Sequence, residues 1–173
     1  GRKIYLMEVC GTHTTAISRS GLRSLIGETV ELRSGPGCPV CVTDQHQIDK
    51  IIALTQQHPV VIATFGDMVR VPGTHSSLER ERAKGAQIEI FYSPYEAILF
   101  AKKNPHKEVV FLGIGFETTA PAVAMSIADT HNQNITNYSV MSLHKSVPPV
   151  MKALLEDEGL HIDGFILPGH VCT

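Results

Sequence analysis

Short apolar runs rich in β-branched residues alternate with amphipathic segments along this chain, and this alternation limits the fold more than any other feature. A short apolar run bounded by Gly or Pro predicts a strand, whereas apolar residues at three- and four-residue spacing predict a helix. Strands that alternate with helices are joined by crossover connections, which place the strands parallel with helices on the sheet faces. The sequence therefore predicts an α/β protein with mostly parallel sheets flanked by helices.

The boundaries of these elements are marked by ordinary start and stop residues. Seven runs are predicted strands: Ile4–Val9, Thr29–Arg33, Pro59–Phe65, Ile88–Tyr92, Glu108–Ile114, Tyr138–Leu143 and Gly164–Leu167. Six segments are predicted helices: Thr14–Ile26, Asp44–Gln57, Leu78–Lys84, Pro94–Lys103, Pro121–His131 and Pro148–Glu158. Asp44 with Gln47 resembles a capping box. It precedes an apolar stripe that we expect to be core: Ile48, Ile51 and Ile52.

The polar stretch Lys102–Lys107 interrupts the apolar pattern and suggests a boundary between two small lobes. We place the first lobe at residues 1–103 and the second at residues 104–173. Because the chain opens with Gly1 and stops at Thr173, each close to a predicted strand, we also expect it to be a piece of a longer protein.

Composition narrows the class of partner. A net charge of -2, from 15 basic and 17 acidic residues, provides no electrostatic surface for nucleic acid or anionic lipid. No apolar stretch has the length of a membrane span. Four cysteines in 173 residues do not resemble the disulfide framework of a small secreted domain. We therefore expect a cytoplasmic protein whose thiols bind metal or perform redox chemistry.

Polar and reactive residues recur where the predicted strands end. The segments in question are Cys10-Gly-Thr-His13, Gly35-Pro-Gly-Cys38-Pro-Val-Cys41, Gly66-Asp67, Gly115-Phe-Glu117, His144-Lys145 and Pro168-Gly-His170. The carboxyl ends of parallel strands meet the amino ends of helices at one edge of a sheet, and ligands bind there. We therefore expect the functional site at the carboxyl ends of the strands.

The Cys38-Pro-Val-Cys41 segment is the clearest thiol motif. Two cysteines at this spacing lie within disulfide reach, and the helix predicted from Asp44 favours a thiolate near its amino end. A redox pair is one interpretation, and two loop cysteines that merely pack are another. A structural zinc site remains open with Cys10 and His13 as further ligands.

Cys10 ends a predicted strand and is followed by Gly11, Thr12, His13 and Thr14. A thiolate beside an imidazole suits iron, copper or zinc, and neighbouring threonines can hydrogen-bond the atoms of a ligand. A buried core cysteine is the alternative. We predict that Cys10, Thr12 and His13 contact a metal-containing ligand.

Two residues in the later part of the chain, Glu117 and His170, receive weaker assignments. Glu117 stands between a strand and a helix, where it either acts as acid, base or acceptor, or caps the helix. His170 is a candidate for lining the same cleft. Gly113-x-Gly115 does not complete a dinucleotide fingerprint, because Thr118 stands where the third glycine is required. Cys172 receives no role.

Four ordered motifs together resemble the HypD family of hydrogenase maturation factors: Cys10-Gly-Thr-His-Thr14, Gly35-Pro-Gly-Cys-Pro-Val-Cys41, Gly115-Phe-Glu-Thr-Thr-Ala-Pro121 and Pro168-Gly-His-Val171. The resemblance spans the whole chain but only about the first half of a typical family member, judged by usual domain sizes. One departure is Cys172, where the family usually has Ser.

The resemblance implies a scaffold on which iron carrying cyanide and carbon monoxide is assembled for nickel-iron hydrogenases, rather than a conventional enzyme. It further implies partnership with the small chaperone HypC and the cyanide-donating protein HypE. Cys10 would bind the iron, with His13 nearby, Cys38 and Cys41 would form a redox pair, and Glu117 and His170 would line the cleft. A four-iron four-sulfur cluster belongs to a carboxyl-terminal region of the family that we expect this chain to lack.

Overall fold

The computed structural model describes residues 2–35, 43–57 and 59–167. All seven predicted strands are present, each within one or two residues of its expected bounds. They are β1 (Ile4–Glu8), β2 (Val30–Ser34), β3 (Val60–Thr64), β4 (Ile88–Ile90), β5 (Glu108–Gly113), β6 (Tyr138–Ser142) and β7 (Gly164–Ile166).

The predicted helices are also present, with one split in two. Their bounds are α1 (Gly11–Arg19), α2 (Leu22–Leu25), α3 (Gln45–Leu54), α4 (Leu78–Ala83), α5 (Pro94–Lys103), α6 (Ala120–Asn132) and α7 (Val147–Leu155), with a 3-10 turn at Gly66–Arg70. The helix predicted over Thr14–Ile26 starts three residues earlier, at Gly11, and is interrupted at Gly21. Gly21 has a φ of 65°, a left-handed conformation that ends one helix and begins the next.

The helix after Asp44 forms as its sequence indicates. The Asp44 carboxylate accepts a 2.8 Å hydrogen bond from the His46 amide, which satisfies one of the unpaired amides at the start of α3. The stripe of Ile48, Ile51 and Ile52 is buried, as expected for the core face of an amphipathic helix.

The strands form two parallel sheets. Sheet A has the order β2-β1-β7, and sheet B has the order β4-β3-β5-β6. The α/β class with two mostly parallel sheets is therefore confirmed. Among the described helices, none combines the length and apolar character that crossing a bilayer requires.

The structure divides the chain at different places from the predicted boundary between residues 103 and 104. Its first unit contains the described residues of 2–35 and 146–167, and its second unit contains 43–57 and 59–145. The predicted boundary falls between α5 and β5, but β5 pairs with β3 in sheet B. Conversely, β7 pairs with β1 although most of the chain separates them. Strand pairing across a long sequence distance, which no local composition break reveals, sets the two units.

Sheet B has the larger core. A buried cluster containing Ala63, Ile98, Val109 and Phe111 joins β3 and β5 to α5 on one face of the sheet. The Phe111 ring meets Phe65 edge to face, with ring centroids 5.4 Å apart, a favoured aromatic geometry. This packing fixes the carboxyl end of β5, where the loop containing Glu117 begins.

Candidate functional site at the carboxyl edge of sheet A

Cys10 lies at the junction between β1 and α1, which confirms its predicted position at a strand end. It is the N-cap residue of α1, with extended backbone angles of φ -150° and ψ 124°. Its carbonyl accepts a 3.0 Å hydrogen bond from the Thr14 amide and so begins the helix. The thiol is free and half-buried. The chain thus turns from strand to helix at Cys10 and leaves its side chain partly accessible.

All three strands of sheet A end together near this cysteine. In the parallel register Glu8 of β1 stands opposite Ser34 of β2 and Ile166 of β7. Beyond β2, the Gly35 amide donates a 2.8 Å hydrogen bond to the Glu8 carbonyl. A Cβ at Gly35 would lie 2.7 Å from both that carbonyl and the Met7 side chain, so only glycine fits. The edge is therefore a close junction of three strand ends.

Several predicted site residues lie outside the described residues. Cys38 and Cys41 follow Gly35, and His170 follows β7 with Cys172 beyond it. The predicted redox pair and the predicted roles of these residues therefore stay predictions. Thr12 lies in α1, but its side chain is not among those described.

His13 is the third residue of α1 and is half-buried. It stands three residues after Cys10, and residues three apart on a helix lie on neighbouring positions of its surface. The start of α1 thus brings an imidazole to the helix end that Cys10 caps.

A buried carboxylate that the sequence analysis did not single out lies directly beside this edge. Glu8 has no solvent exposure, and its Oε1 accepts a 2.8 Å hydrogen bond from the Ser34 hydroxyl. The same oxygen is 3.5 Å from Arg23 Nη2. Its other oxygen, Oε2, is buried and has no hydrogen-bond partner among the described residues. The buried Glu8 side chain therefore has few polar contacts. Because burying a carboxyl group is costly unless its oxygens are paired, each of these contacts matters for stability.

Arg23 reaches this carboxylate from α2 and connects three elements. Its Nη1 donates a 2.6 Å hydrogen bond to the Leu32 carbonyl, and its Nη2 donates a 3.1 Å bond to the Ser34 hydroxyl. The guanidinium fork matches these spaced acceptors. The contacts among Glu8, Ser34 and Arg23 thus connect α2 with the ends of β1 and β2.

The sequence does contain a signal for this network. Glu8 interrupts the otherwise apolar run of Ile4 to Val9, and a carboxylate inside a central strand requires a partner. The identity of the partner follows only from the register of β1 on β2, which brings Ser34 opposite Glu8.

In the second unit, Glu117 lies in the loop between β5 and α6 and is exposed. The N-cap residue of α6 is Thr119, two positions further on, so Glu117 is not the capping residue. Gly115 has a φ of 154°, and a Cβ there would lie 1.6 Å from the Thr119 hydroxyl oxygen. The loop therefore needs glycine at this position to bring Glu117 to the carboxyl edge of sheet B.

His144 lies at the same edge of sheet B, after β6. Its Nδ1 is 3.2 Å from the Ser142 hydroxyl, and its Nε2 is buried without a hydrogen-bond partner among the described residues. The ring covers Gly113, where a Cβ would come within 3.0 Å of the imidazole. Burial lowers the pKa of His144 below its usual value because it disfavours the charged form.

The described part of the chain contains no group of three or more His, Cys, Asp or Glu side chains arranged to hold a metal ion. Cys10 is its single cysteine. A four-iron four-sulfur cluster uses four cysteine thiolates, so these residues do not fit one. The four-ligand zinc interpretation needs Cys38 and Cys41, which stand outside the described ranges.

Comparisons with known proteins agree over the whole chain. The family model described as "HypD: Hydrogenase formation hypA family" matches residues 1–173. The hydrogenase maturation factor HypD of Rhodobacter capsulatus is 45% identical over 170 residues, which cover 98% of this chain and 45% of that protein. A putative hydrogenase expression/formation protein of Methanocaldococcus jannaschii is 44% identical, covering 99% of this chain and 47% of that protein. HypD of Escherichia coli is 42% identical, covering 98% of this chain and 46% of that protein.

These matches extend beyond the four motifs to nearly every residue of the chain. The chain spans about half the length of the curated relatives it matches. A family model that matches all 173 residues and identities above 40% over almost the whole chain show the family. The chain therefore belongs to the HypD family of hydrogenase formation proteins.

Proposed function

We propose that this chain acts in hydrogenase formation as part of a scaffold on which iron with cyanide and carbon monoxide ligands is assembled for nickel-iron hydrogenases. The observation that carries the proposal is the position of Cys10 at the common carboxyl edge of β1, β2 and β7, in a chain of the HypD family. The iron group is cargo that the scaffold holds and passes on. Its partners in this proposal are the chaperone HypC and the cyanide donor HypE.

Cys10 is the proposed thiolate ligand of the iron, with His13 and Thr12 beside it. Thiolate is a soft ligand that suits low-spin iron bearing cyanide and carbon monoxide. The thiol is half-buried at the amino end of α1, and that end of a helix carries partial positive charge that stabilises anions. An anionic iron-cyanide group would be favoured at the same place.

Cys38 and Cys41 are the proposed redox pair for this site. Cys38 follows Gly35 by three residues in the sequence, and Gly35 lies on the edge that Cys10 occupies. Conversion between the dithiol and the disulfide exchanges two electrons and two protons.

Glu117 and His170 are the proposed polar lining of the cleft. His170 follows β7 by four residues in the sequence. Glu117 is exposed at the carboxyl edge of sheet B. The proposal includes a cytoplasmic location, where thiols stay reduced.

The test replaces Cys10 by Ala in this sequence joined to the remainder of a full-length family member, in a strain without its own HypD. We expect iron bound to the purified protein and mature nickel-iron hydrogenase activity to fall by about tenfold or more. Cys172→Ser is the matched control, because this cysteine has no proposed role, and it should leave both quantities unchanged. Wild-type iron loading and maturation in the Cys10 variant would remove Cys10 from the site.

A second measurement separates the scaffold from the two other interpretations of the cysteines. A stand-alone thiol-disulfide oxidoreductase would reduce insulin without Cys10 but not without Cys38. A structural zinc module would retain one zinc per chain through purification and unfold when the zinc is chelated. The scaffold is expected to do neither.

A further inference from the structure

Helices α5 and α6 pack against each other in the second unit and expose large apolar side chains. Tyr95 is 56% exposed and Met125 is 60% exposed. Leu99 lies one turn after Tyr95, and Tyr92 lies just before α5; both are exposed as well. Tyrosine and methionine are enriched in the buried centres of protein interfaces, so a cluster of them on a surface indicates a binding surface.

Tyr95 and Met125 line a small groove between the two helices. The groove has a volume of about 180 Å³ and is lined by Tyr95, Ile98, Ala122, Met125 and Asp129, among others. Sites for whole small-molecule ligands typically occupy about 300–1,000 Å³, so this groove is too small for one. It fits a single aliphatic side chain projecting from another protein.

Asp129 gives the groove a charge preference. It is half-buried, and among the described residues no ion pair or hydrogen bond reaches its carboxylate. Lys102 and Lys103, in the last turn of α5, form no ion pair with it. It is also the single Asp, Glu, Lys or Arg residue of α6.

The position of Asp129 within α6 makes its charge unfavourable for the helix itself. It stands in the last turn, at the helix end that carries partial negative charge. A carboxylate there raises the energy of the helix, and a cation brought by a partner would offset that effect. The unpaired charge beside an apolar groove therefore favours a partner that supplies both an aliphatic and a basic side chain.

We propose that the α5–α6 groove, defined by Tyr95, Ile98, Ala122, Met125 and Asp129, binds a helical segment of a partner protein. One aliphatic side chain of that segment fills the groove, and a Lys or Arg three or four residues away pairs with Asp129. Residues at this spacing lie on one face of a helix, so one short segment can supply both contacts. The proposal does not depend on the hydrogenase role.

The test is a selection from a displayed library of helical peptides, each of fixed length and randomised on one face, against the 173-residue chain. We expect the enriched peptides to carry Leu, Ile or Met with Lys or Arg three or four positions away. The best of them, synthesised, should bind with a Kd below about 100 μM, an affinity of about 5.5 kcal/mol that is typical of one anchored segment.

Two variants locate the binding. Met125→Glu should raise the Kd of the synthesised peptide at least tenfold. Asp129→Asn should remove the preference of the protein for a peptide with Lys over one with Glu at the basic position. Leu155→Glu is the matched control, since Leu155 is an exposed apolar residue of α7 in the other unit, and it should change neither. Circular dichroism melts establish that each variant remains folded.

Three outcomes would overturn the proposal. The first is that no peptide is enriched, and the second is that the enriched peptides bind Met125→Glu as well as wild type. The third is that the groove is occupied by a second copy, seen as a concentration-dependent dimer that Met125→Glu dissociates. Enrichment without a basic residue would refute the pairing with Asp129.

Discussion

The Ser34 hydroxyl donates a 2.8 Å hydrogen bond to the carboxylate of Glu8, and this contact joins the ends of β1 and β2. Cys10 leaves this junction on one strand, and the segment after Gly35 leaves it on the other. Glu8 is completely buried, and its carboxyl group contacts Ser34 and, at a longer distance, Arg23. The position of the proposed iron ligand thus depends on a buried carboxylate two residues before it.

Replacing Ser34 by Ala should destabilise the first unit. The change removes the shortest hydrogen bond of a buried carboxylate and leaves that oxygen with only Arg23, so we expect a loss of about 1–2 kcal/mol. The free energy of unfolding by urea, followed by circular dichroism, measures it. Ser139→Ala is the control: Ser139 is exposed in β6, and its loss should change stability by less than about 0.5 kcal/mol. Equal effects of the two substitutions would contradict the role of the Glu8 contact.

Replacing Gly35 by Ala should disrupt the same edge for a steric reason. The new methyl group would lie 2.7 Å from the Glu8 carbonyl and from the Met7 side chain, and the backbone oxygen cannot move without breaking the sheet. We expect a loss of about 1–3 kcal/mol. Gly11→Ala is the matched control, because a Cβ there has no neighbour within 4 Å. Thermal unfolding should show a lower midpoint for the first variant only.

Much of the fold follows from the sequence, because each strand and helix is coded locally. The apolar run of residues 164–167 is recognisable as a strand by itself. What no local pattern reveals is its partner, β1, which lies near the other end of the chain. The polar stretch Lys102–Lys107 therefore does not mark the boundary between the two units, since the units are defined by strands that pair over long sequence distances.

The candidate site was predictable to a similar extent. Cys10 stands at the strand end expected from its sequence context, since an apolar run followed by Gly marks the end of a strand. The helix begins at Gly11 rather than Thr14 because Cys10 itself takes the N-cap position. Glu8 was missed as a site residue, although its break in an apolar run indicates that it needs a partner, because that partner is supplied only by the register of β1 on β2. His144 was predicted only as part of a polar segment at a strand end, because the contact of its ring with Gly113 is created by the neighbouring strand.

Asp49 should stabilise the turn that connects β3 to α4. Its two carboxylate oxygens accept hydrogen bonds from the Thr74 amide, at 2.7 Å, and from the Thr74 hydroxyl, at 2.6 Å. Asp49→Ala should therefore lower the urea midpoint, whereas Lys50→Ala, an exposed neighbour on α3, should not.

The effect of Asp49 should also depend on pH. The hydrogen bonds from Thr74 lower the pKa of Asp49 below its usual 3.8, since they favour the ionised form. The contribution of Asp49 to the free energy of unfolding is therefore complete well above pH 3.8 and is lost as the pH falls below that value. The difference between wild type and Asp49→Ala should shrink in that range, and a constant difference would contradict the assignment.

The effect of His144 on stability should appear at higher pH than the effect of Asp49. Burial lowers its pKa in the folded state below the usual 6.5, so the unfolded chain binds a proton at a higher pH than the folded chain does. Stability from the neutral imidazole is complete above about pH 6.5 and falls as the pH decreases below it. Four carboxyl groups also have lowered pKa values in the folded state, but they change stability at lower pH, as it falls through their usual pKa values of 3.8 to 4.5. They are Glu31, Asp49, Glu81 and Asp163.

Replacing His144 by Gln should therefore flatten the stability profile between pH 7.5 and pH 5. Gln keeps a polar group near Ser142 but carries no titrating proton, so the variant loses the part of the slope that His144 contributes. Thermal midpoints measured across this range in wild type and variant provide the comparison. His106→Gln is the control for the loss of one imidazole, because His106 is exposed in the loop between α5 and β5, away from His144 in the sequence. If wild type and His144→Gln lose stability equally as the pH falls, the buried imidazole does not control this transition.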